Sequence, residues 1–210
     1  FMLVGVLSCA GLAITPQLDF VTPGTAETVG LIILVLYILS TIGFAGANLY
    51  YDSFLNDVTT EERMDKVSTM GYGMGYIGGS TIPLLIFLLM NLILGSDAML
   101  FCLSFAFGLT AVWWFVFSFP LLKNVEQVSF VPRKKGAVAE ALKGIGGTVK
   151  EIFRYKQMFV FLIAYFFYID GVNTIIHMST SYGDTLGLDS TSMLLALLLV
   201  QVLGLPFCLL

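Results

Sequence analysis

The stretch LLKNVEQVSFVPRKKGAVAEALKGIGGTVKEIFRYKQ, residues 121–157, decides how this chain is read, because it holds eight of the ten lysines and arginines. The other two, Arg63 and Lys66, share one short stretch nearer the N-terminus, and every long apolar run is free of cationic side chains. The remaining connections carry only acids: Asp19 and Glu27, then Asp97, then Asp184 and Asp189. Cationic connections alternating with acidic ones mark a chain threaded repeatedly through a membrane, with its positive loops inside. Residues 51–66 and 120–157 are therefore assigned to the cytoplasm, and the acidic hairpins to the outside.

Composition agrees. Hydrophobic residues make up 58% of the chain and charged ones 11%, against roughly a quarter charged in soluble domains. The net charge of −4 is small and no basic face is concentrated enough to attract nucleic acid. The three cysteines, Cys9, Cys102 and Cys208, all fall in apolar runs and have neither disulfide nor metal-ligand spacing. They read as small hydrophobes. No cofactor is expected.

A membrane-crossing helix needs about twenty apolar residues, since each adds about 1.5 Å across about 30 Å of hydrocarbon. Six candidate spans follow: residues 1–15, short and truncated at its start; 28–50; 67–94; 98–119; 158–177; and one from 192, cut off by the chain end. The chain is thus expected to be an all-α polytopic membrane protein and an internal portion of a longer one. Residues 1–119 are expected to give four spans of a first helical bundle. Residues 120–157 form a cytoplasmic connection, and residues 158–210 give two spans of a second bundle. Within the connection, Val138, Leu142, Ile145, Val149 and Ile152 recur at spacings of four and three, which puts them on one face of an amphipathic helix.

Asp170 is the acid deepest in any span, about 18 Å from the start of its helix. An ionised carboxylate at that depth costs about 3 kcal/mol, so it is expected to face protein or water. At 100° per residue, Asn173, Thr174 and His177 share its face. That polar stripe could bind a solute or carry a proton, and a structural, hydrogen-bonded carboxyl is the plainer alternative. Asn48 in the second span is a further candidate lining residue, although the neighbouring Gly43, Ala45, Gly46 and Ala47 point first to helix packing. Gly71, Gly75 and Gly79 recur every four residues, with Gly78 beside them, and are expected to serve close helix contact. No nucleophile stands beside a base, so no enzyme is expected.

Three stretches also carry a resemblance: YYDSFLNDVTTEERMDKVSTMGYGMGYIGGS (50–80), WWFVFSFPL (113–121) and FLIAYFFYIDGVNTIIHMSTSYGDTLGLDST (161–191). Together they resemble the autophagy-related vacuole effluxer family, a branch of the major facilitator superfamily. The resemblance implies a fragment of a twelve-helix, two-bundle transporter, its six spans corresponding to the third through eighth helices. It further implies alternating access. On that template the expected function is secondary-active transport of small polar solutes such as amino acids, coupled to protons, in a bacterial cell membrane. The partners are then the lipid bilayer and a small solute. The alternative is a receptor or scaffold that keeps the fold without transporting.

Overall fold

The computed structural model describes residues 1–18, 23–128 and 136–209. Asp19, Arg133, Lys134 and Lys135, used above for the charge pattern, lie outside the described residues, as does the side chain of Val138. Every regular element among the described residues is helical.

The first helix, α1 (Met2–Leu12), is apolar but short. It is followed by α2 (Pro23–Ser53), which ends where the Ser53 hydroxyl donates to the Tyr50 carbonyl at 2.7 Å. A single turn, α3 (Leu55–Val58), leads into α4 (Met64–Met74). There the third span departs from the uninterrupted helix expected over 67–94. A π turn, Gly75–Thr81, separates α4 from α5 (Ile82–Leu94). The cause lies one turn ahead: Pro83 has no N–H to give the Gly79 carbonyl, and its ring crowds that carbonyl. The chain answers by widening, and the Thr81 hydroxyl donates back to the Tyr76 carbonyl at 2.6 Å.

Gly95, at φ 77°, ends α5 and lets the chain reverse into α6 (Met99–Asn124). The connection expected to be amphipathic contains α7 (Ala137–Arg154), preceded by Gly136 at φ 87°. After it, α8 (Lys156–Thr185) runs eight residues beyond the expected end at 177. Its stop signal is backbone chemistry rather than polarity. Gly187, at φ 74°, donates to the Asp184 carbonyl at 2.9 Å, and Leu188 donates to that of Gly183 at 3.0 Å, satisfying two end carbonyls. The next helix, α9 (Ser190–Leu209), starts at once, because the Asp189 carboxylate accepts both the backbone N–H and the hydroxyl of Ser192, at 3.0 and 3.3 Å.

Five of these stretches are long and apolar enough to cross a membrane: Gly24–Val58, Glu61–Leu94, Met99–Asn124, Lys156–Thr185 and Ser190–Cys208. At most 11% of the most apolar window of any of them is buried. The outside of these helices is therefore an apolar surface of a kind soluble proteins do not expose. This is an integral, multi-pass membrane protein.

Two compact units divide the chain: Phe1–Ser129 with Ala196–Leu210, and Phe130–Leu195. The core of the first forms where α1 crosses α2 and α6. Val6, Cys9 and Ala111 are buried there, with Met2, Phe107 and Trp114 packed around them. Cys102 is fully buried, in keeping with its reading as a small hydrophobe. At the α1–α2 crossing, a Cβ on Gly43 would lie 2.5 Å from both Cα and N of Gly5, and one on Gly46 would strike the Phe1 ring. Close helix contact therefore sits at Gly5, Gly43 and Gly46. Along the expected stripe, the described residues bring nothing within 4 Å of added Cβ atoms at Gly75, Gly78 and Gly79, and only the Tyr51 hydroxyl, at 3.9 Å, to one at Gly71.

In the second unit, the apolar face of α7 meets the first turns of α8. Val149, Ile152 and Phe153 share an apolar groove of about 380 Å³ with Phe159 and Phe166, and the rings of Phe153 and Phe159 lie 5.0 Å apart.

Candidate functional site

The first unit carries a half-open cavity of about 700 Å³ near the ends of its helices. Its polar walls follow from helix spacing. Asn48, Tyr51 and Asp52 stand at i, i+3 and i+4 in the last turns of α2, so they share a face. Ser68, Gly71, Tyr72, Gly75 and Tyr76 continue the same progression along α4 into the π turn. Phe54, Leu55 and Val58 close the wall at α3, with Leu121 from the end of α6 and Gln201 from α9. Gly71 and Gly75 contribute room, which is the use this structure makes of the glycine stripe.

Residues 48–58, 68–72 and 121 lie toward the end of the unit that carries Arg63, Lys66 and Lys123, the end the charge rule assigns to the cytoplasm, with Gly75, Tyr76 and Gln201 deeper in their helices. Asp52 is the one charged residue in the lining. Nearby, the Asp57 carboxylate accepts the Val128 N–H at 3.3 Å, tying α3 to the segment after α6. The Tyr76 ring packs on α9, where a Cβ on Gly204 would come within 2.9 Å of it.

The π turn that borders the cavity is held from α6. The Trp113 indole N–H donates to the Gly78 carbonyl at 2.7 Å, supplying a partner to backbone that the α-helical ladder leaves without one. Its ring packs against that of Phe117, tilted by 34° with centroids 4.7 Å apart. Trp113→Phe keeps an aromatic ring and removes the donor. It is expected to destabilise the purified protein by about 1 kcal/mol, the scale of an interhelical hydrogen bond in a bilayer. Thermal unfolding in detergent checks this, and an unchanged midpoint would show that the bond does not support the turn.

Of the residues singled out from the sequence, Asn48 lines the cavity. Asp170, Asn173, Thr174 and His177 are placed on α8, in the second unit, where all four are exposed. They line neither cavity nor groove. Tyr72 and Gln201 are among the lining residues that the sequence reading did not single out. Tyr72 looks like one more aromatic in an apolar run, whereas Gln201 had a usable signal, being the sole amide in α9. Among the described residues no group of three or more His, Cys, Asp or Glu side chains could hold a metal ion.

Comparison with known proteins gives a consistent result. A family model described as "Vacuole effluxer Atg22 like" matches residues 56–206. The chain is 44% identical over 211 residues to the "Uncharacterized MFS-type transporter YxiO" of Bacillus subtilis, covering 99% of this chain and 47% of that relative. It is 26% identical over 164 residues to an "Autophagy-related protein 22" of Cryptococcus neoformans, covering 75% of this chain and 29% of the relative. "Autophagy-related protein 22-1" of Aspergillus niger is 25% identical over 148 residues, 66% of this chain and 24% of its own length. The chain thus spans about half the length of its bacterial relative and less than a third of the fungal ones. No solved structure gives a significant match.

Proposed function

The chain belongs to the vacuole effluxer Atg22-like family, and from that premise we propose that it is part of a secondary-active transporter that moves small polar solutes by alternating access. The observation that carries this reading is the cavity of about 700 Å³ with Asn48, Tyr51, Asp52, Ser68 and Gln201 on its walls, in helices whose outer surface is apolar. Polar groups gathered inside an apolar bundle are what a hydrophilic solute needs to cross hydrocarbon. The bacterial relative's printed name, an MFS-type transporter, favours the same class.

The finer reading takes amino acids as the solute, a bacterial cell membrane as the location and a pH gradient as the driving force. It places the proton- or solute-linked group at Asp170, with Asn173, Thr174 and His177 on the same face of α8. It also divides the chain at residues 120–157 into parts of two helical bundles. Family membership and the depth of Asp170 in its span support this.

The test uses full-length protein in proteoliposomes. Uptake of a labelled amino-acid panel is compared with and without an imposed pH gradient. Uptake of at least one amino acid, raised several-fold by the gradient, is the expected result. Absence of uptake across the panel, from protein shown to be folded and inserted, would overturn the amino-acid reading. Extended to sugars, amines and peptides with the same result, it would favour a receptor or scaffold.

A further inference from the structure

We infer that the cavity of the first unit recognises solutes through an ammonium group, with Asp52 as the counter-charge and the Tyr51 and Tyr72 rings as the surface on which the cation rests. This deepens the reading of the cavity as a solute site and rests on it.

Charge makes the first case. Asp52 is the one ionisable acid or base in the lining apart from the tyrosines, and among the described residues it takes no hydrogen bond or ion pair. No lysine or arginine lines the cavity. A solute whose only charge is a carboxylate or phosphate would face Asp52 with no lysine or arginine in the lining to offset it, and like charges across an interface are strongly disfavoured. A neutral solute would leave Asp52 without a partner on entry.

The aromatic walls add to the same sign. Tyr51 and Tyr72 are 54% and 65% exposed, so ring surface is open to the cavity. A cation over such a ring face is attracted by its quadrupole, more strongly as water is excluded. Asn48 and Gln201 offer amide oxygens to an ammonium N–H. Asp52 and the aromatic faces thus both lend negative potential to a space whose lining holds no lysine or arginine, and its volume suits a molecule of amino-acid or arylalkylamine size.

The experiment is equilibrium binding to the full-length protein in lipid nanodiscs, by calorimetry, with three probes of one shape. Phenethylamine carries the ammonium, 2-phenylethanol is neutral and phenylacetate is anionic. Phenethylamine is expected to bind at least tenfold more tightly than 2-phenylethanol, with phenylacetate weakest. D52N should shrink the first ratio to below threefold, while D52E keeps most of it. Tyr72→Leu serves as a second variant, expected to weaken phenethylamine more than 2-phenylethanol. Phenylacetate binding as well as phenethylamine, a preference unchanged in D52N, or no binding of any probe would each overturn the inference. Flux of solutes without ammonium preference would remove this inference and leave transport standing. Ammonium-selective binding without flux of any solute would do the reverse.

Discussion

Replacing Gly43 with alanine is expected to lower the unfolding midpoint of the detergent-purified protein by about 10 °C, corresponding to about 3 kcal/mol for a chain of this size. The atoms a methyl group would meet are Cα and N of Gly5, both at 2.5 Å. Backbone in a packed helix cannot rotate aside as a side chain can, so α1 and α2 must separate. Separation would loosen the buried cluster of Val6, Cys9 and Ala111 that the crossing organises. The control is Gly79→Ala, where the added methyl meets nothing within 4 Å and the midpoint should move by less than 2 °C. Equal shifts from both would mean that helix propensity, not contact, governs these glycines. A stable Gly43→Ala would show that the helices cross elsewhere in the membrane.

Asp170→Asn carries the second large effect. In proteoliposomes the variant is expected to lose at least tenfold of its gradient-driven uptake while still exchanging solute at equal pH on both sides. The amide keeps the shape and most of the hydrogen bonding of the carboxyl and cannot take or release a proton. Loss confined to the driven mode would thus assign proton coupling. Loss of both modes would assign solute binding, and loss of neither would leave Asp170 as a structural group of α8. Together with the Asp52 binding experiment this separates two acids that the structure places in different units.

The spans were legible because membrane insertion writes its rules locally. Length over an apolar run located five of the six expected spans, while residues 1–15 give only the short helix α1. Where α8 overran its expected end by eight residues, the run 178–185 was too polar to read as span, although its backbone needed no apolar side chains to stay helical. Facing was far less legible. Helices apolar on all sides carry no stripe to say which neighbour a glycine meets: Gly43 and Gly46 were readable as packing positions, whereas Gly5, which Gly43 meets, was not. The Gly5–Gly43 pairing joins residues far apart in sequence, and a single sequence holds no record of it. Asn48 was readable as a polar residue in a span. Tyr72 and Gln201 acquired meaning only when α4 and α9 were seen around one cavity.

The π turn has a consequence for how such a chain can change length. A π turn is an α-helix with one residue too many, and each residue turns a helix by about 100°. Removing one residue between 75 and 81 would take up the extra residue, leave the gap that Pro83 makes in the hydrogen-bond ladder, and swing α5 by about a quarter-turn relative to α4. Anywhere else in the span, the same deletion would carry apolar and polar faces out of register with no wide turn to absorb it. Divergence by single-residue insertion or loss thus has one tolerant position in this span. Using it would re-aim the outer half of the helix while leaving Ser68, Gly71 and Tyr72 where they are.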